Sequence, residues 1–165
     1  MTELLYHVNE QDDVIGPVER SEAHKNNILH RSGMAFILNT KGEVFVQHRA
    51  NKETFPNCFD SSSAFHVTFG ESYDVAVRRE VFEELGLKVD LKFIGKFTHH
   101  DDPEHEVMAT YIGHAEEIPK LDLTEAYSGE WCDMERLRKI IESGDVTPWL
   151  RDGFKLLVHH LSLKK

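Results

Sequence analysis

Glu80, Glu83 and Glu84 are spaced i, i+3, i+4 within GESYDVAVRREVFEELGL, residues 70–87, so a helix there gathers three carboxylates on one face. Val77, Val81 and Leu85 recur every four residues and give that helix a narrow apolar stripe directly beside the carboxylates. Carboxylates crowded at the edge of a buried surface raise one another's pKa unless cations compensate. Clustered hard oxygens of this kind suit a divalent cation such as magnesium. Arg79 is the nearby residue able to orient or offset the cluster without a metal. The competing reading is a solvated acidic helix face, which charge runs on helices commonly are. The ends of the helix are also legible. Ser72 is placed as an N-cap, Asp74 falls in the first turn, and Gly86 stands where a left-handed C-cap belongs.

The segment from Glu71 through seven residues to Arg79-Glu80-Val81-Phe82-Glu83-Glu84-Leu85-Gly86-Leu87 resembles the Nudix box, GX5EX7REUXEEXGU. Eight of its nine specified positions match in register; the departure is the first glycine, where this chain carries Phe65. That resemblance implies a Nudix-like α/β sandwich with a mixed sheet and a box spanning about residues 65–87. It also implies a hydrolase that uses Mg2+ or Mn2+ to cleave a phosphoanhydride in a small organic, nucleoside-type diphosphate. In that reading Glu83 and Glu84 hold the metal, and Glu80 is a further ligand or the base. Arg79 holds the glutamates, and Glu71 supports the loop. A phenylalanine at position 65 is expected to crowd the strand-to-loop turn.

A second constellation involves the histidines, of which there are 11. The neighbourhoods of His24 and His30 (EAHKNNILHR), of His66 (SSSAFHVTFGES), and of Glu104 and Glu106 (PEHEVMATY) resemble segments of type I isopentenyl-diphosphate isomerase, a branch of the same superfamily. The likeness extends to the N-terminal hairpin, to Thr54-Phe55-Pro56 and to Thr147-Pro148-Trp149. It implies that three histidines and two glutamates hold one divalent ion, a donor set suited to manganese, zinc or magnesium. Glu106 or Glu104 could also serve as a remote base. Arg49 and Lys52 are candidates to meet substrate phosphates. One feature of the isomerases is missing. They work with a cysteine just before the box, and Ala64 stands at that position here, while Cys58 lies six residues earlier. Alanine moves no proton, so hydrolysis is favoured over double-bond isomerisation, with a non-catalytic diphosphate-binding module as the third reading.

These residues need a scaffold, and the pattern around them supplies one. LLYHVN and VIGPV flank a polar turn and read as an N-terminal hairpin within residues 1–20. SEAHKNNILHR reads as a short helix or loop. Gly33 to Asn39 is a near-continuous apolar run, a buried strand, turning at Thr40-Lys41-Gly42 into Glu43 to His48. Strands follow at 89–96, 106–114 and from 129, with HHDDPEHE expected as a loop between the first two. Helices are expected over 133–143 and 149–163. Strands punctuated by helices without strict alternation indicate an α/β sandwich of mixed sheets, and 165 residues suit one domain.

Composition narrows the partners. Apolar content of 40% and charged content of 29% are those of a globular protein. No apolar run reaches membrane-spanning length, and MTELLYHVNEQDD carries no signal-peptide pattern, so a cytoplasmic location is expected. A net charge of -10 opposes nucleic acid or an anionic membrane as partner. An acidic protein handling a small-molecule diphosphate also needs a bridging cation. Cys58 and Cys132 form no metal or redox spacing and are expected as free thiols. The residues are compatible with a homodimer but do not specify an oligomeric state.

Overall fold

The computed structural model describes residues 2–164. The apolar run becomes β3 (His30–Leu38), whose alternate side chains divide between two cores. Met34, Phe36 and Leu38 face one layer, and Ala35 and Ile37 face the other. A strand covered on both faces reads as continuously hydrophobic, which is why no alternation was visible there. β8 (Glu104–His114) runs parallel to β3 in register from His30↔Glu106 to Leu38↔His114, and divides in the same way. Its Met108 and Ile112 join the first core, Ala109 and Tyr111 the second.

Around this pair the sheet is mixed. β1 (Leu4–Val8) and β2 (Val14–Glu19) form the expected hairpin, and β1 meets β3 at His7↔His30. β4 (Val44–Arg49) touches β3 at Leu38↔Val44 and then diverges to pair with β5 (Phe59–Asp60) and β9 (Ala126–Cys132). β6 (Ser63–His66) lies antiparallel on β3, and β7 (Leu91–Asp101) antiparallel on β8. The helix carrying the three glutamates, α2 (Tyr73–Leu85), packs Ala76, Val77, Val81 and Leu85 into the second core. α3 (Met134–Ser143) and α4 (Pro148–Ser162) cover the first core through Leu137, Ile140, Leu150 and Leu157. The result is the expected α/β sandwich with a mixed sheet. Among the described residues no helix is long and apolar enough to cross a membrane.

Three expectations need correction. HHDDPEHE is not a loop. β7 and β8 run through it, pairing His99↔Glu106, His100↔His105 and Asp101↔Glu104, and leave Asp102-Pro103 as the turn. A polar stretch imitates a loop in sequence, but here its two faces meet two different polar neighbourhoods. SEAHKNNILHR also divides: α1 (Arg20–Lys25) carries His24, whereas His30 opens β3. Finally, Phe65 does not crowd the turn. It is buried on β6 opposite Gly33 of β3, where the missing side chain makes room for its ring.

Candidate active site

The α2 glutamates are held by a helix whose ends form as the residues suggest. The Ser72 hydroxyl oxygen accepts from the Val75 N–H at 3.2 Å, and Gly86 adopts φ 68° while its N–H donates to the Phe82 carbonyl. Arg79 binds Glu71 through two parallel hydrogen bonds, 2.7 and 2.9 Å, a fork-to-fork pairing. It also donates to Glu80 at 2.5 Å and Glu83 at 3.3 Å. One guanidinium thus aligns three of the four glutamates of the box. Glu71 accordingly ties the loop to the helix. Its carboxyl is held below the usual range by the Arg79 hydrogen bonds, which outweigh its burial.

Glu84 is the deepest member. It is buried, and its Oε2 accepts from the Gln47 amide at 2.8 Å, which also donates to the Ser62 carbonyl at 2.5 Å. Burial pushes the Glu84 carboxyl well above its ordinary value, with Glu80, Glu125 and Asp60 adding to the effect against the Gln47 hydrogen bond. Burial likewise raises Glu80, opposed by Arg79 and assisted by Glu83 and Glu125. Glu83 is exposed. Asp122 and Glu125 join from the segment after β8, which is tied to the end of α2 by Lys120 N–H to Leu85 O and Asp122 N–H to Glu84 O.

The residues of the second constellation lie close together in the structure. His24 from α1, His30 from β3, His66 from β6 and Glu104 from β8 each present a donor atom, all within 4.8 Å of one another. The three imidazoles surround one point, with ring centroids 5.2–5.4 Å apart. His66 Nε2 lies 3.3 Å from His24 Nε2 and 3.3 Å from Glu106 Oε1, and His24 Nε2 lies 3.4 Å from Glu104 Oε2. His30 Nδ1–H donates to the Ile28 carbonyl at 2.8 Å, which turns the Nε2 lone pair inward. That Nε2 and Glu104 Oε2 are both buried without a hydrogen-bond partner. Two orphaned buried acceptors aimed into a cage of imidazoles and carboxylates fit a divalent ion. Burial opposes a proton on His66, but the adjacent carboxylates of Glu104 and Glu106 hold it up at about 9. Burial works against the charge on Glu106, yet His30 and His66 pull it far below the carboxylate range. Burial keeps His24 below its ordinary value.

Cage and glutamate helix open on one cleft of about 190 Å3, which His66, Glu104 and Glu106 share with Glu80, Glu83 and Glu84. Its apolar surface comes from Ala64, Phe65, Met108 and Trp149. Arg49 and Lys52 also reach its wall, but both are already engaged. Arg49 donates to the Thr54 and Phe55 carbonyls and to Asp60, and Lys52 pairs with Glu125. Arg20, on the same wall, holds Glu3 at 3.2 Å and stays half exposed. Cys58 lies outside the cleft lining. Its thiol donates to the Phe55 carbonyl, and burial pushes it up to about 11.

Several of these residues carried no sequence signal. Gln47 looks like any polar strand residue. Asp60 is buried and accepts from Arg49, from the Thr147 hydroxyl at 3.1 Å and from Trp149 Nε1 at 2.9 Å. Only the polarity of Gln47 inside EVFVQH and of Asp60 beside SSS marked them as polar groups that would need partners.

Residues 28–150 match the NUDIX domain family. Isopentenyl-diphosphate Delta-isomerase 2 of Photorhabdus laumondii is 29% identical over 170 residues, covering 98% of this chain and 94% of that protein. A prenyl-diphosphate phosphatase of Methanosarcina mazei is 28% identical over 157 residues, covering 91% and 92%. A crystal structure of a Deinococcus radiodurans protein superposes with a TM-score of 0.80 at 26% identity, covering 93% of this chain and 99% of that one.

Proposed function

We propose a function from one established premise: this chain belongs to the NUDIX domain family, in the branch that resembles type I isopentenyl-diphosphate isomerase. It is a metal-dependent hydrolase that cleaves the phosphoanhydride of a small organic diphosphate. The observation that carries this reading is the shared cleft, in which a histidine–glutamate cage and three glutamates of one helix surround a space of substrate-headgroup size.

His24, His30, His66, Glu104 and Glu106 would hold one divalent ion, and Glu83 and Glu84 would hold magnesium or manganese, leaving Glu80 free to act as the base. Such ions neutralise phosphate oxygens and lower the pKa of bound water. The chain's own groups do the rest. Arg79 keeps Glu80 and Glu83 oriented, and Gln47 keeps Glu84 turned to the cleft. Water attacks phosphorus, the bridging P–O bond breaks, and Glu80 takes the proton that water gives up. Glu80 suits that task better than Glu106, because burial raises its carboxyl while the imidazoles hold Glu106 low. The leaving phosphate retains the bridging oxygen. Arg49 and Lys52 shape the wall that the diphosphate meets.

Isomerisation is the second reading, favoured by the isomerases among the relatives and opposed by Ala64, which lines the cleft where those enzymes would need a proton-transferring cysteine. Phosphate release from nucleoside di- and triphosphates, nucleotide sugars and isopentenyl diphosphate separates the two. Each assay is run with magnesium, with manganese and with EDTA. EDTA-sensitive phosphate release supports the hydrolase. An allylic isomer without release would replace it by the isomerase, and ligand binding without turnover by the binding module.

A further inference from the structure

The face of the β7–β8 hairpin that turns away from the cage carries a second set of ligand-type side chains. His105 stands between Glu104 and Glu106 on β8, so strand alternation sends it to the opposite face. There it faces His100, its direct cross-strand partner, with ring centroids 4.6 Å apart. Glu10, from the turn of the N-terminal hairpin, completes the set: donor atoms of Glu10, His100 and His105 all lie within 4.8 Å of one another. Glu10 Oε1 is 3.9 Å from His105 Nε2.

Two details go beyond proximity. His105 Nδ1–H donates to the Asn27 carbonyl at 3.1 Å, which fixes the ring and leaves Nε2 as the free acceptor. This backbone-anchored tautomer is the arrangement that metal-bound histidines use. That Nε2 is buried and has no hydrogen-bond partner, so its lone pair is unsatisfied beside a second imidazole and a carboxylate. A tetrahedral zinc ion holds its donors about 3.3 Å apart, so closing from 4.8 Å needs only small side-chain rotations of the exposed His100 and Glu10. Neutral imidazoles with one carboxylate select a borderline transition ion over magnesium.

We propose that Glu10, His100 and His105 form a separate site for a zinc-class divalent ion, with solvent at its fourth position. Occupancy ties the N-terminal turn to the tip of the hairpin whose alternate residues, Glu104 and Glu106, supply the cage. The site is independent of the proposed hydrolysis.

The test is a Zn2+ titration of the full, metal-stripped chain against a chromophoric chelator. The protein is used as wild type and as the His100→Ala, His105→Ala and His66→Ala variants, each checked for folding by circular dichroism. His100→Ala, an exposed change, should bind one equivalent fewer than wild type, or bind it at least about tenfold more weakly. It should also lose part of the zinc-induced rise in Tm. His66→Ala should keep the outer equivalent. Equal stoichiometry, affinity and Tm response in wild type and His100→Ala would overturn the site. So would a wild type whose zinc binding vanishes entirely in His66→Ala.

Discussion

The ring of Phe65 occupies the space above Gly33: a Cβ built on that glycine would lie 2.6 Å from Phe65 Cζ and 3.0 Å from the Ala109 carbonyl oxygen. The phenylalanine at the first box position is thus matched by a glycine on the neighbouring strand, and each makes the other tolerable. Gly33→Ala should cost about 1–3 kcal/mol by overpacking. In a Phe65→Ala background much of that penalty should disappear, a coupling that a double-mutant cycle in urea measures directly. Additive effects would mean that the Ala109 carbonyl, not the ring, limits the site.

Phe65 both lines the cleft and packs in the second core, so replacing it disturbs packing as well as the cleft. Phe65→Ala should lower stability by about 3–5 kcal/mol. Any change in turnover has to be read at a temperature where the variant is still folded, by thermal melts run beside the rate assay.

Glu83 projects from α2 but is exposed, so its removal tests chemistry without disturbing packing. Outer-shell partners of metals are worth about 10–100-fold, so losing a ligand should cost at least about 100-fold in kcat. Glu83→Gln should therefore abolish EDTA-sensitive phosphate release while its melting curve stays near wild type. Retained turnover would remove Glu83 from the role proposed above.

Gln47 is a positioning residue, since it reaches the cleft only through Glu84. Gln47→Leu leaves a buried carboxylate oxygen without its donor, a loss of about 1–3 kcal/mol. Misplacement of Glu84 should show as weaker magnesium binding, a raised metal concentration for half-maximal rate. Gln47→Glu should do more harm, because it sets a second carboxylate against Glu84, which burial already pushes up. An unaltered metal response in both variants would show that the amide serves packing alone.

How much of this was readable depended on distance along the chain. The glutamate helix was legible to its caps because Ser72, Gly86 and the four-residue stripe are local signals that tertiary structure did not override. The cage was legible only through a motif, because His24, His30, His66, Glu104 and Glu106 lie on four elements that periodicity cannot bring together. The end of the β7–β8 hairpin was misread for a physical reason. Strand signals rest on alternation between apolar and polar, and here both faces are polar: Glu104 and Glu106 on one, His100 and His105 on the other. The pairing of Gln47 with Glu84, 37 residues apart, had no local signature at all.

Asp12 offers a pH test away from the cleft. At the N-terminal turn it accepts from Arg31 at 2.7 Å, Lys96 at 2.6 Å and the Tyr73 hydroxyl at 3.0 Å, joining the hairpin to β3, β7 and α2. Burial works against its charge, but the hydrogen bonds from Lys96 and Arg31 hold it below the ordinary aspartate value of 3.8. A depressed carboxylate contributes stability that is complete above its unfolded pKa and is lost as pH falls through its folded one. Asp12→Asn keeps the side-chain shape and tolerates the φ of 64°. The variant should be less stable than wild type at pH 7, and the gap should close toward pH 2. Urea midpoints across that range decide it, and a gap that stays constant would assign the effect to packing.

The buried Asp60 has a consequence for the order in which the molecule is made. Its carboxylate faces Arg49 from the first third of the chain, but its other two partners, Thr147 and Trp149, belong to the start of the last helix. Trp149 is also part of the cleft wall. On the ribosome the cage and the glutamate helix emerge well before that helix does, so the nascent chain presents their carboxylates while the wall beside them is still missing. The cleft wall is therefore a late product of translation, finished only once Thr147 and Trp149 have left the exit tunnel.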